Sequence, residues 1–269
     1  MTRIALVVSD VDGTLLTKDK TLTDAARKAA QRLHEAGIAF TITSSRPAIG
    51  MRFLVEPLGI TLPVGPFNGS SIVDVNMRPI EQSLIPATAA KHALSVLDKF
   101  GVDIWLFTNE AWLTKNPDGP YVPNEKRAIL ADPTIIADFS PYLSAACKIV
   151  GSSRDFDLLV RCEAAMHDAL GTQALAVRSQ NYYLDITPPG HDKGTFVTAT
   201  AQRLGIPLSA VATIGDMHND VAMFKVSGLS IAMGNASDEV KSFASRVTTS
   251  NEDEGFAKAM ELILKENAP

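Results

Sequence analysis

Ile4-Ala5-Leu6-Val7-Val8-Ser9-Asp10-Val11-Asp12-Gly13-Thr14 passes from a compact, β-branched apolar run directly into two carboxylates and a glycine. A run of this length that stops at such residues is the signature of a buried strand entering a tight loop. Moving outward, Thr23 is placed to cap a helix whose apolar positions Ala26, Ala29, Ala30 and Leu33 recur at helical spacing. Gly37 stands where a left-handed C-terminal residue is needed. Residues 38–43 read as a second strand, which ends at Ser44-Ser45-Arg46-Pro47. Strand, helix and strand in this rhythm predict a parallel sheet with a right-handed crossover.

The same alternation returns late in the chain. Residues 210–214 predict a strand ending at Gly215-Asp216, residues 220–226 a helix and residues 229–233 another strand, with helices beginning near Ser237 and covering 254–264. Between these stretches the pattern changes. A helix is expected at 87–100, but 102–107, 146–150, 174–178 and 182–186 are strand-like runs broken by Pro, Gly and Asp clusters. The expected fold class is therefore α/β, a doubly wound parallel-sheet domain split in sequence, with a separate α+β module between its halves. The core is assigned residues 1–83 and 188–269 and the inserted module residues 84–187. No internal repeat or low-complexity segment interrupts this plan.

Composition narrows the function classes. Of 269 residues 46% are hydrophobic, ample for a buried core without staples. The two cysteines, Cys147 and Cys162, form no CxxC pair, so they read as small buried apolar residues rather than a disulfide framework or a zinc ribbon. The amino-terminal apolar run is too short for a signal peptide and no window reaches the length of a membrane span, so a cytoplasmic chain with no membrane partner is expected. A net charge of -5 and a pI near 5.6 argue against nucleic acid as a partner, because broad binding to a polyanion demands a basic face.

Asp10 and Asp12 lie two residues apart at a strand end, so both carboxylates are expected on one side of the chain. One can attack phosphorus to form an aspartyl-phosphate. The other can protonate the departing alkoxide and later take a proton from water. A calcium loop is the competing reading, and it fails. An EF-hand starting at Asp10 needs Asp or Asn directly before a glycine at the sixth position and a glutamate at the twelfth, where this chain has Thr21. Neither GxGxxG nor GxxxxGK[ST] follows an expected strand, which removes the common nucleotide motifs.

Gly215-Asp216-Met217-His218-Asn219-Asp220 supplies a second acidic cluster at a strand end. Ligands of open α/β sheets collect beyond the carboxyl ends of the strands, so Asp10 and Asp216 can converge although distant in sequence. Oxygens gathered in this way suit magnesium, a hard cation that offsets repulsion between an anionic nucleophile and an anionic phosphate. His218 is instead expected at the surface of a helix start, since the five histidines form no HExxH and no Cys/His cluster. Ser44 and Lys193 are weak signals alone, a serine being a common cap and a lysine a common surface charge. Their positions strengthen them: Ser44 ends the second strand, where its hydroxyl and the following N–H groups can hold phosphate oxygens. Lys193 opens the helix before the Gly215-Asp216 strand, where an ammonium can neutralise a transferred phosphoryl group.

Together, Ser9-Asp10-Val11-Asp12-Gly13-Thr14-Leu15-Leu16, Ser44-Ser45-Arg46-Pro47, Lys193-Gly194 and Gly215-Asp216-Met217-His218-Asn219-Asp220 resemble the four ordered motifs of the haloacid dehalogenase superfamily. Ile231-Ala232-Met233-Gly234-Asn235-Ala236 and Val247-Thr248-Thr249-Ser250-Asn251 extend the likeness to its Cof-type sugar-phosphate phosphatases. The resemblance implies a Rossmann-like core with an inserted α/β cap. It implies that Asp10 is nucleophile and magnesium ligand, and Asp12 the acid/base with its main-chain carbonyl on the metal. Asp216 would complete the metal site, Asn219 and Asp220 would support it or Lys193, and Ser44, Ser45 and Lys193 would hold phosphate. Asn68-Gly69 resembles a family loop near the site, and Arg46 would reach the substrate or the cap. The family often has Thr-Gly-Arg where this chain has Ser44-Ser45-Arg46, which keeps the hydroxyl but narrows the approach of backbone to phosphate.

The activity implied is magnesium-dependent hydrolysis of a small phosphorylated metabolite by a monomer or small homo-oligomer, with the cap closing over substrate. A phosphomutase using the same intermediate and a non-catalytic phospholigand-binding protein remain as alternatives, the latter weakened by the presence of Asp10, Asp12 and Asp216. Trp112, Tyr121, Asn124 and Arg161 are candidate substrate contacts in the middle segment, each more often a packing or surface residue.

Overall fold

The computed structural model describes residues 3–267. The chain divides into two compact units, the first holding Met1–Ser45, Met51–Ile80 and His191–Pro269 and the second Arg46–Gly50 and Glu81–Gly190.

In the first unit the strand Leu6–Ser9 lies between Val211–Gly215 and Ala39–Ile42 and runs parallel to both. Leu229–Ala232 and then Arg246–Val247 continue the sheet beyond Val211–Gly215. Helices cover both faces, which is why these strands read as continuous apolar runs rather than alternating ones. On one face Leu6, Val8 and Val211 pack with Phe196 and Val197 of helix Lys193–Leu204 and with Met223 and Phe224 of helix Val221–Val226. Burying each such side chain contributes about 1.5–3 kcal/mol. Phe40 meets Phe256 of helix Gly255–Glu266, ring centroids 5.8 Å apart.

Helix Asp24–Glu35 forms as its pattern predicts: the Thr23 side chain accepts from the Ala26 N–H at 3.1 Å, and Ala26, Ala29, Ala30 and Leu33 are buried. The register then fixes the chemistry. Ser9 pairs with both Ile214 and Ile42, so three neighbouring strands end level and deliver Asp10, Asp216 and Ser44 at one end of the sheet.

The second unit is built on a six-stranded sheet in the order Thr134–Ile135, Trp112–Thr114, Asp103–Phe107, Lys148–Ser152, Tyr183–Thr187, Leu175–Gln180. It is antiparallel except where Trp112–Thr114 meets Thr134–Ile135. Helices Ala87–Phe100 and Phe156–Leu170 bury Ala89, Ala93, Leu97, Leu159, Cys162 and Met166 in a core with Ile104, Leu106, Leu113, Ile149 and Leu184. The Phe156–Leu170 helix starts at Asp155, whose side chain accepts from the Leu158 N–H at 2.9 Å. Gly151 lets helix Ala87–Phe100 approach, since a Cβ there would stand 2.5 Å from Leu97. Cys147 and Cys162 form no disulfide and are buried, and burial pushes the Cys162 thiol up to about 11. Among the described residues no helix is long and apolar enough to cross a membrane.

Candidate active site

Asp10 leaves the sheet with its N–H still donating to the Ile214 carbonyl at 2.9 Å, which sets it beside the strand that ends in Asp216. Asp10, Asp216, Asp220 and Lys193 are all buried, exposed by 4%, 7%, 0% and 1% respectively. One oxygen from each of the three carboxylates can be chosen so that all lie within 4.8 Å of one another. Lys193 Nζ donates to Asp10 Oδ1 at 2.5 Å and to Asp220 Oδ1 at 2.6 Å. Asp220 Oδ2 accepts from the main-chain N–H groups of Asp216 and Met217, each at 2.8 Å. Asp220 therefore works as a strut, joining Lys193 to the turn that carries Asp216.

One ammonium among three carboxylates leaves the group short of positive charge. Burial holds Asp10 well above the usual carboxylate range; Lys193 pulls the other way, but Asp220 and Asp216 add to the burial. Burial likewise pushes Asp216 up to about 6, with Asp220 adding to it. Burial alone would favour neutral Lys193, yet the Asp10 and Asp220 carboxylates outweigh it and hold the ammonium above its ordinary value.

The donor set fits a hard divalent cation. It is made of carboxylate oxygen, without histidine or thiolate, and it sits where negative charge is in excess. Gly13, at φ +80°, leaves room for it, since a Cβ there would stand 2.4 Å from Asp216 Oδ2. Asp216 is further oriented by Thr14 Oγ1, which donates to its Oδ1 at 2.8 Å, and by Asn235 Nδ2, which donates to its Oδ2 at 3.2 Å. Asn235 also donates to the Gly13 carbonyl at 2.9 Å, and its Oδ1 accepts from the Asn251 N–H at 3.1 Å. Thr14, Asn235 and Asn251 were not singled out as site residues from sequence. The signal for them was their place inside stretches that carry the resemblance.

Ser44 is buried, its N–H donating to Gly65 and its carbonyl accepting from Asn68, at 2.9 and 2.7 Å. Asn68 adopts a left-handed conformation, and its Oδ1 accepts from Asn219 Nδ2 at 3.0 Å. Gly69 packs on the start of the Lys193 helix, where a Cβ would stand 2.6 Å from Phe196 and 2.9 Å from the Asp192 carbonyl. Ser44, Asn68, Gly69 and Asn219 thus form one connected wall.

Other residues lie elsewhere. The Asp12 carboxylate is in an ion pair with Lys20 at 2.7 Å and is not part of the three-carboxylate group. Asp12 nonetheless stands near enough to the group for its charge to help raise Asp216, after burial and Asp220. Ser45 is half-buried. Arg46 is buried in the second unit, its guanidinium donating to the carbonyls of Gly50 and Ala128. His218 is exposed, 3.2 Å from Glu239. In the second unit Trp112 is buried, Tyr121 stacks on Tyr182, Asn124 bonds Arg127 and Arg161 is exposed.

A parallel α/β sheet that gathers buried carboxylates and a lysine at its strand ends has the form of a phosphoryl-transfer enzyme. The chain belongs to the haloacid dehalogenase-like hydrolase family, whose profile matches residues 7–260, and it is a phosphatase of that type. It is 28% identical over 258 residues to the 5-amino-6-(5-phospho-D-ribitylamino)uracil phosphatase YcsE of Bacillus subtilis (strain 168), covering 96% of this chain and 94% of the relative. It is 25% identical to the pyridoxal phosphate phosphatase YbhA of Escherichia coli (strain K12), covering 94% and 96%. A haloacid dehalogenase-like hydrolase from Bacteroides thetaiotaomicron superposes with a TM-score of 0.91 at 26% identity, over 97% of this chain and 100% of that one.

Proposed function

We propose that the chain hydrolyses the phosphomonoester of a small soluble metabolite, with Asp10 as nucleophile. The observation that carries this reading is the buried group of Asp10, Asp216, Asp220 and Lys193 at the ends of adjacent parallel strands. An Asp10 oxygen attacks phosphorus, the bond from phosphorus to the ester oxygen breaks, and Asp12 gives its proton to the departing alkoxide. Water then attacks the aspartyl-phosphate, Asp12 accepts the water's proton, and inorganic phosphate leaves with the Asp10 carboxylate restored. Lys193 neutralises charge on the phosphoryl oxygens, and Ser44, with the Asn68-Gly69 loop, holds them from the other side.

Magnesium is the cation read for this site, held by Asp10 and Asp216 with the Asp12 main-chain carbonyl, while Asp220 braces Lys193. When bound it reduces the repulsion between the nucleophile and the phosphate. The second unit is read as the family's inserted cap, the part that selects the metabolite. Both curated relatives carry names for phosphorylated nitrogen heterocycles, a substituted uracil and pyridoxal, which makes such esters the first candidates.

The purified protein is expected to release phosphate from para-nitrophenyl phosphate and from pyridoxal phosphate when magnesium is supplied. Chelation should reduce the rate to background and added magnesium should restore it. Full activity after exhaustive chelation, or no phosphate from either ester with magnesium present, would sink the reading.

A further inference from the structure

Asp12 is followed by a short hairpin that folds back on it. Leu16 bridges to Leu22, the Thr17 N–H donates to the Thr21 carbonyl at 3.0 Å, and the Lys20 N–H donates to the Thr17 carbonyl at 2.9 Å. Lys18, Asp19 and Lys20 thus make a three-residue hairpin loop, a turn closed by one left-handed residue. That residue is Lys20, at φ +62°. Glycine is what such a position favours, since a Cβ crowds the backbone there.

The hairpin is also tied down from outside. Asn251 Nδ2 donates to the Leu16 carbonyl at 2.9 Å, the Lys18 N–H to Glu252 Oε1 at 2.6 Å and the Thr23 hydroxyl to Glu254 Oε2 at 2.7 Å. A loop held in this way fixes where the Lys20 side chain starts, and its ammonium returns to Asp12 Oδ1 at 2.7 Å. Stability does not account for a lysine in so unfavourable a conformation. The Lys20 and Asp12 side chains are 39% and 29% exposed, and an ion pair this open to water adds little to the fold.

The geometry of the reaction does account for it. In an in-line displacement the ester oxygen leaves from the side of phosphorus opposite the attacking oxygen. A proton donor has to come within hydrogen-bond reach of that departing oxygen, so its place is beside the group of Asp10, Asp216 and Asp220 and not within it. Asp12 stands in such a place, close to the group but outside it. We infer that Lys20 is a positioning residue for Asp12, aimed by the anchored hairpin so that its ammonium fixes the carboxylate on the leaving-group side of the phosphate. The inference rests on the phosphatase reading, in which Asp12 gives its proton to the departing oxygen; Lys20 acts only through Asp12.

Two esters of nearly the same shape separate this role from a structural one. The nitro group of para-nitrophenyl phosphate stabilises its phenolate, which leaves without a proton, whereas the phenolate of phenyl phosphate needs one. The ratio kcat/KM covers the steps up to departure of the alcohol, so it reads Asp12 as acid and not as the later base. With magnesium supplied, Lys20→Met should lower kcat/KM on phenyl phosphate about tenfold, part of the about hundredfold or more that a positioned acid supplies. On para-nitrophenyl phosphate it should stay nearly unchanged, and the thermal melt should not move. Lys20→Gly, which suits the left-handed turn but lacks the ammonium, should show the same split, and Lys20→Arg should restore the native ratio. An equal fall on both esters, native behaviour of the Gly variant or failure of Arg to rescue overturns the inference and leaves the phosphatase reading standing. Native protein that releases phosphate from neither ester removes that reading, and the inference with it.

Discussion

Asp10→Asn is expected to lower magnesium-dependent phosphate release on the order of a thousandfold or more, as removal of a covalent nucleophile does. The amide has nearly the shape of the carboxylate and keeps an oxygen that can accept from Lys193, so the hydrogen bond now measured at 2.5 Å has a successor. What the amide lacks is the anionic oxygen that attacks phosphorus. The same substitution should not cost stability. Burial, Asp220 and Asp216 make the ionised Asp10 unfavourable where it stands, and a neutral isostere removes one of three crowded negative charges. Without added metal the variant should therefore melt no lower than the native protein. Loss of activity with an unchanged or raised melting temperature identifies a chemical role. Retained activity would refute the nucleophile assignment, and a large fall in melting temperature would show that Asp10 mainly holds the fold.

This separation of roles also explains what the sequence could and could not disclose. The first unit was legible because its signals are local. An apolar run marks Leu6–Ser9, the Thr23 hydroxyl caps the next helix, and Gly37 at φ +71° ends it. Lys193 was placed at a helix start and found there. The second unit was harder: Trp112–Thr114 and Thr134–Ile135 are too short to show a period, and they exist because neighbouring strands pair with them. The helix Phe156–Leu170 carries a readable pattern, with Asp155 as cap and Leu159, Cys162, Met166 and Leu170 on one stripe.

At the site, residue type and strand ends pointed to Asp10, Asp216, Lys193 and Ser44. Spacing could not reveal that Asp12 would turn to Lys20, because that depends on a loop beyond the strand. Nor could it reveal Asn235 on Gly13, a contact that only the folded sheet brings about.

Asp220→Ala is expected to be the most damaging single change to stability in the first unit, on the order of 3–5 kcal/mol. The carboxylate is fully buried and has three partners: the Lys193 ammonium at 2.6 Å and the N–H groups of Asp216 and Met217 at 2.8 Å. Alanine leaves a buried ammonium with Asp10 alone and strips the acceptor from two main-chain donors, each a loss of about 1–3 kcal/mol if nothing replaces it. Much of a typical domain's margin of about 5–15 kcal/mol would be consumed. Asp220→Asn should be milder, because its carbonyl oxygen can keep either the lysine or the backbone donors, though not all three. Denaturant unfolding of the two variants, with phosphate release measured under native conditions, distinguishes a strut from a group that only ligates metal. A strut predicts loss of stability in metal-free protein, graded Ala beyond Asn, with activity falling because Lys193 and Asp216 lose their common support. If instead Asp220→Ala unfolds at native denaturant concentrations and loses activity only through weaker magnesium dependence, Asp220 serves the cation and not the scaffold.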